Sequence, residues 1–288
     1  MNYPEKYRFY AEKIEAFLQK QFLTDAPQRV LFDAMRYSLL AGGKRIRPVL
    51  TLAFCELCGG EADAALPFAA GAEMVHTYSL IHDDLPCMDN DDFRRGKPTN
   101  HRVYGEATAV LAGDALLTAA FSTLSAAKLP PERIVEAVRV LSRCAGELGM
   151  VGGQILDMDA ERRLCTESEV YDIQSRKTGA LISAACQLGV VAAGGDAEKQ
   201  AAAAAYADAV GLAFQIEDDI LDVVGDAEKL GKATGMDANK NTFVRLYGID
   251  RCREMIAEET EKALRALDCF AHADFLRTLA RSLATREF

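Results

Sequence analysis

Several signatures of large enzyme classes are missing from this chain. No GxGxxG follows a strand-like run and no GxxxxGK[ST] loop occurs among its 288 residues, which argues against dinucleotide-binding and P-loop architectures. Alternating strand patterns are missing too, and no repeat of fixed period occurs, so sheet-based folds and solenoids are disfavoured. No run reaches the roughly 18 to 20 apolar residues of a membrane span, and none is expected. The opening Met1-Asn2-Tyr3-Pro4-Glu5-Lys6 carries no apolar signal segment, so a cytoplasmic location is the expectation. Basic charge is in deficit. The 33 Lys and Arg stand against 43 Asp and Glu, a formal charge of −10 without any basic block, so nucleic acid is not an expected partner. Of eight cysteines, Cys55 and Cys58 form a lone CxxC; with no second pair or suitably spaced His, zinc is not indicated and reduced thiols are expected.

What is present is a core. Half the residues are hydrophobic and 26% are charged, the balance of a soluble globular protein, and one domain over residues 1–288 is expected. Apolar residues at Tyr7, Tyr10, Ile14, Phe17 and Phe22 predict an amphipathic helix. A second runs from about Pro27 to Leu40 and stops at Gly42-Gly43. Helical patterns continue over about 48–58, 66–84, 107–127, 132–147, 149–163, 167–194, 197–226 and 250–267, with a last one from Phe270 onward. A polar loop at 86–106 and the segment 225–243 are the clearest breaks. The fold class is therefore all-α, a large helical bundle whose interior can hold a site built from facing helices.

The chemistry concentrates in Asp83-Asp84-Leu85-Pro86-Cys87-Met88-Asp89-Asn90-Asp91-Asp92-Phe93-Arg94-Arg95-Gly96. Carboxylates packed this closely stay ionised only with cations between them. Mg²⁺ takes oxygen ligands and joins one or two carboxylates to substrate phosphates, so the Asp cluster beside an Arg pair suggests a metal-bridged diphosphate. A second cluster, Glu217-Asp218-Asp219-Ile220-Leu221-Asp222, interrupts an apolar helix. Asp218 and Asp222 share one face, and burying them unpaired would cost several kcal/mol each, so they too need metal or cationic partners. Upstream, Gly42-Gly43-Lys44-Arg45-Ile46-Arg47-Pro48 places cations on a turn ahead of a helix, an anion-binding arrangement or a solvated basic turn.

These motifs, together with Gly152-Gly153-Gln154, Asp157, Lys177-Thr178-Gly179, Gly231-Lys232, Asp237 and Lys240, resemble those of the short-chain trans-prenyl diphosphate synthases of the polyprenyl synthetase family. Within it, bacterial farnesyl diphosphate synthases are the nearest pattern. The resemblance runs almost end to end and implies an isoprenoid synthase bundle around a central apolar cavity. It implies an enzyme that condenses isopentenyl diphosphate with an allylic diphosphate, dimethylallyl and then geranyl. By the same resemblance, Asp83, Asp84 and Asp89 bind Mg²⁺ at the allylic diphosphate and Asp218 supplies metal from the facing helix, supported by Asp219 and Asp222. Three Mg²⁺ ions accompany bound diphosphate, with Mn²⁺ as an alternative. Arg94, Lys177, Lys232 and Lys240 contact the allylic diphosphate; Gly43, Lys44, Arg47, His76 and Arg95 hold that of isopentenyl diphosphate. Thr178 and Gln215 shield the cation that forms. His76, Thr178, Gln215 and Lys240 also admit readings as a core histidine, ordinary helix residues and a surface lysine. A homodimer is implied by the family alone.

Tyr78 lies five residues before Asp83, about 7 Å down the same helix, where an aromatic ring would close the pocket. By resemblance this favours the C15 product, farnesyl diphosphate, over C20 geranylgeranyl diphosphate. A terpene cyclase would need a different second metal motif. A non-catalytic subunit of a heteromeric prenyltransferase would lack one Asp cluster, and both are here.

Overall fold

Between Ala62 and Asp83 apolar residues occupy every face, including Phe68, Ala69, Ala70, Met74, Val75 and Ile81. A helix apolar all round is stable only when other elements enclose it. In the computed structural model, which describes residues 1–161, 163–224 and 241–285, it is enclosed. In chain order the described helices are α1 (Tyr3–Leu18), α2 (Arg29–Leu39), α3 (Ile46–Leu57), α4 (Ala62–Asp83), α5 (Asn100–Tyr104), α6 (Glu106–Ser125) and α7 (Pro131–Ala145). They continue with α8 (Met150–Ala160), α9 (Glu167–Gln174), α10 (Ala180–Ala193), α11 (Ala197–Val224), α12 (Phe243–Tyr247), α13 (Ile249–Ala266) and α14 (Asp274–Thr285). Helix α4 is flanked by α3, α6 and α10, with α1, α2 and α7 completing its surroundings. Helix α10 is buried from Leu181 to Ala192 and forms the second interior column. The result is an all-α bundle, the class that the helical patterns predict.

Local chemistry sets the ends. Asn2 caps α1 by accepting from the Glu5 N–H at 3.0 Å, while the Glu5 carboxylate accepts from Asn2 N–H at 3.1 Å. Gly194, at φ 75°, ends α10 in the left-handed conformation that a side chain disfavours. Two apolar clusters result. The larger joins α1 through α4, α6, α7, α10, the N-terminal half of α11 and α14, with Tyr10, Phe54, Phe68 and Tyr206 fully buried. The smaller gathers Val170, Ile173, Ile216, Ile220, Phe243 and Met255 around the C-terminal half of α11.

Three expectations need correction. The pattern at 167–194 is not one helix: a π-helical turn, Ser175–Gly179, separates α9 from α10. The loop at 86–106 contains a two-stranded hairpin, β1 (Phe93–Arg94) and β2 (Lys97–Pro98), and then α5. Among the described residues, α6 is long and apolar enough to cross a membrane, where the sequence reading found no such run. It reaches that composition through alanine, and its stripe of Ala109, Ala112, Leu116, Ala120 and Leu124 is buried, with α4 as its main neighbour.

Candidate active site

The basic turn ahead of α3 splits into two jobs. Arg45, 5% exposed and at φ 54°, donates to Glu73 at 2.8 Å, to Glu15 at 3.0 Å and to the Leu39 carbonyl at 2.8 Å. It therefore clamps the turn onto α1 and α4. Arg47 instead lines a cavity, and its buried Nε has no hydrogen-bond partner. Lys44 is exposed, and its carbonyl accepts from the Tyr7 hydroxyl at 2.5 Å. Arg95 folds back from the hairpin, donates to the Gly42 carbonyl and lies over Gly43, where a Cβ would meet its guanidinium at 2.8 Å. Burial holds the His76 imidazole well below its usual range, and Arg47, Arg95, Arg94 and Arg45 push it further down. A neutral histidine among four guanidiniums, one with an orphaned buried N–H, fits a diphosphate.

Asp83 closes α4, and the chain then turns so that the Asp89 N–H donates to the Asp83 carbonyl at 2.8 Å. That turn returns Asp89 beside Asp83 despite Pro86. Burial pushes the Asp83 carboxyl up to about 6, with Asp89 and Asp84 adding and Lys177 and Arg94 opposing. Asp84 faces a different pocket, bounded by the hairpin and α2. There it is 3% exposed and accepts from Arg94 Nε at 2.7 Å and Nη2 at 2.6 Å. Asp83 and Asp84, adjacent in sequence, thus line different pockets, and Arg94 is bound to Asp84.

The π-helical turn carries the next residues. A π turn inserts one residue into the helical ladder and re-aims the side chains around it. Here it brings Lys177 and Thr178 to the cavity wall. Lys177 Nζ donates to Asp157 Oδ2 on α8 at 2.6 Å. The approach is close: a Cβ at Gly153 would sit 2.2 Å from the Lys177 nitrogen, so only glycine fits. Thr178 Oγ1 donates to Gln215 Oε1 at 3.2 Å, and Gln215 Nε2 donates to Asp219 Oδ1 at 3.2 Å. The other Asp219 oxygen accepts from the Phe243 N–H at 2.8 Å. Asp219 and Asp222 are 6% and 5% exposed, while Asp218 is half-buried. Gly231, Lys232, Asp237 and Lys240 lie outside the described residues.

The cavity has a volume of about 500 Å³. Arg47, His76, Asp83 and Lys177 form its polar part, while Tyr78, Met150, Ile155 and Met158 lie on its apolar wall. Tyr78 is 6% exposed, and burial followed by the nearby Asp83 pushes its phenol up to about 12. Sequence reading missed the contribution of α8. The Gly152-Gly153-Gln154 run marked that helix, but only the close approach shows why its glycine is required. The sequence motif assigns Asp157 no role, and the structure shows it holding Lys177.

The donor set here is carboxylate oxygen, the chemistry Mg²⁺ prefers. Among the described residues no three His, Cys, Asp or Glu side chains form a cluster that could hold a metal ion. Mg²⁺ is ordinarily bound through one or two carboxylates together with substrate phosphate rather than by an all-protein cage.

Comparison with known proteins agrees. Residues 28–274 match the family described as Polyprenyl synthetase. A chloroplastic geranylgeranyl pyrophosphate synthase 3 of Arabidopsis thaliana is 47% identical over 270 residues, covering 90% of this chain and 74% of its own. A dimethylallyltranstransferase of Fischerella ambigua is 43% identical over 290 residues, covering 96% and 84%. The apo FPP/GFPP synthase of Zymomonas mobilis superposes with a TM-score of 0.89 at 37% identity, covering 98% and 99%. The geranyltransferase of Helicobacter pylori, complexed with magnesium and isoprenyl diphosphate, gives 0.84 at 38%, covering 98% and 97%. The helical architecture, the cavity lined by Arg47, His76, Asp83 and Lys177, and these likenesses lead to one conclusion: the chain belongs to the polyprenyl synthetase family, which elongates prenyl chains and uses Mg²⁺.

Proposed function

We propose that this prenyltransferase ends elongation at C15, making farnesyl diphosphate from isopentenyl diphosphate and dimethylallyl, then geranyl, diphosphate. The observation that carries the reading is the buried Tyr78 ring on the wall of the cavity that Asp83 also lines. In the reaction the allylic C–O bond breaks, the isopentenyl double bond attacks the resulting cation, and a proton leaves. Asp83, Asp89 and Asp218 would hold three Mg²⁺ ions with the diphosphate, with Mn²⁺ as an alternative. Bound there, the metal supplies positive charge against the departing diphosphate.

The chain's own groups do the rest. Lys177, oriented by Asp157, adds a fixed cation at the leaving group. Arg47, Arg95 and neutral His76 hold the second diphosphate. Thr178 and Gln215, bonded to each other, present oxygen dipoles to the reacting carbons. The apolar lining that Tyr78, Leu80 and Met150 give the cavity keeps polar groups away from the cation, which water would otherwise capture. Leu111 and Leu148, 59% and 64% exposed, are apolar side chains that a homodimer interface would cover.

The second reading is a C20 product, favoured by the Arabidopsis geranylgeranyl pyrophosphate synthase relative. Incubation with isopentenyl diphosphate, dimethylallyl diphosphate and Mg²⁺, followed by chromatography, separates the two. The C15 reading expects farnesyl diphosphate from the native chain and longer products from Tyr78→Ala. Dominant geranylgeranyl diphosphate from the native chain, or unchanged length in Tyr78→Ala, would sink it.

A further inference from the structure

Gly113 sits in the middle of α6, a position where glycine weakens a helix relative to alanine, so its presence calls for a packing reason. The reason is on α4. A Cβ at Gly113 would lie 2.1 Å from His82 Nε2, 2.5 Å from Cδ2 and 2.9 Å from Cε1, so the imidazole occupies the space a methyl group would need. His82 Nε2 is 3.0 Å from the Val110 carbonyl and 4.0 Å from an Asp114 carboxylate oxygen. A carbonyl only accepts, so Nε2 carries the proton and the ring is pinned to the α6 backbone. One turn earlier on α4, the Tyr78 ring meets His82 edge to face, with centroids 5.7 Å apart and planes at 76°. Both rings border the main cavity.

We infer that His82, seated in the notch of Gly113, is a positioning residue that fixes the Tyr78 ring and so sets product chain length. A tyrosine closes a pocket only if its ring is held. An aromatic side chain with space beside it hops between rotamers and gives way to a growing prenyl chain. His82 removes that space from one side, and α6 removes from His82 the freedom to move. Position 113 therefore acts on product length without touching substrate, through two rings in series. The inference rests on the reading of Tyr78 as the floor of the cavity.

The test compares C20:C15 product ratios, made from geranyl diphosphate and labelled isopentenyl diphosphate, for the native chain, Tyr78→Ala, His82→Ala, His82→Gln, Gly113→Ala and the His82→Ala/Gly113→Ala double variant. The ratio is independent of overall rate and readable whichever product dominates. His82→Ala is expected to raise it by about fivefold or more, the size of effect a small change in pocket shape commands. Gly113→Ala is expected to raise it as well by evicting the ring. In the double variant the added methyl meets no ring, so the ratio should match His82→Ala alone within about twofold. His82→Gln, whose amide can still donate to Val110, should fall between His82→Ala and the native chain.

A ratio unchanged in His82→Ala while Tyr78→Ala lengthens the product would overturn the inference and leave the floor reading standing. So would a Gly113→Ala effect that multiplies onto that of His82→Ala. If Tyr78→Ala itself changes nothing, the floor reading fails and this inference falls with it. Should Gly113→Ala not fold by circular dichroism, His82→Ala against His82→Gln decides alone, and equal ratios in the two overturn it.

Discussion

The two Asp-rich motifs look alike in sequence and are built differently. Asp83, at the end of α4, opens on the cavity with its carboxyl pushed up to about 6 by burial. Asp219, deep in α11, has one oxygen on Gln215 and the other on the Phe243 backbone. The first motif holds charge at the cavity, with Arg94 and Lys177 as its counterweights. The second also ties α11 to the start of α12, so part of its carboxylate chemistry is spent on the fold. An Asp motif is therefore not a uniform set of ligands. Its members divide according to which neighbours reach them first.

That division gives the largest predicted effects. Asp83→Asn removes charge aimed at the diphosphate and should lower kcat by about 10² to 10³-fold, the range for removing one preorganised electrostatic partner. Its urea midpoint should not fall, because the lost carboxyl was a buried one disfavoured when ionised. Lys177→Met should follow at about 10²-fold in kcat. Asp219→Ala should reverse the balance. It strands the buried Phe243 N–H and the Gln215 amide, costing about 1–3 kcal/mol in urea unfolding. Its loss of kcat, measured where the variant is folded, should be nearer about tenfold. A destabilised Asp83→Asn beside a stable Asp219→Ala would break the comparison outright.

Asp157→Asn sharpens the comparison at a smaller scale. The Asp157–Lys177 pair is about 30% exposed at each end, so its contribution to stability is modest. Its consequence is directional: without the carboxylate, Lys177 loses the partner that orients it. An approximately threefold to tenfold fall in kcat with an unchanged melting temperature is expected, as for a group acting by orientation. A fall in melting temperature without a change in kcat would make the pair structural.

How much of this was legible beforehand depended on whether a local pattern carried it. Helix α4 announced itself through Phe68 to Ile81, and Asp83 and Tyr78 inherited their faces from helical spacing. The π-helical turn did not, because apolar periodicity runs through 167–194 and one extra residue in the ladder leaves no mark on it. The pairing of Asp84 with Arg94 was hidden for a related reason. It depends on a hairpin of two-residue strands, Phe93–Arg94 and Lys97–Pro98, too short to show alternation. The basic turn gave the right residue types but not their division, since only the folded partners distinguish Arg45, clamped to Glu73, from Arg47, whose buried Nε has none. Gly113 carried no signal, and Gly153 stood in a motif that gave no packing reason; the need for both lies in a neighbouring element, His82 for the one and the Lys177 backbone for the other.

The smallest effect tests the electrostatic half of the comparison through pH. Asp83 has an ordinary carboxyl value of 3.8 when unfolded and one raised to about 6 when folded. Below about pH 4 both states hold the proton, and above about pH 6 neither does. Between those limits only the folded chain is protonated, so the metal-free protein loses stability as pH rises through the window and changes no further from this group above it. Asp83→Asn removes that slope, so the difference in urea midpoint between variant and native chain should grow from about pH 4 to about 6 and then level off. Function runs the other way. A protonated carboxyl is a poor metal ligand, so the Mg²⁺ concentration giving half-maximal turnover should climb as pH falls through about 6. Parallel stability profiles for the native chain and Asp83→Asn would mean that burial at Asp83 is relieved in solution. The two Asp motifs would then differ in their hydrogen bonds but not in their charge.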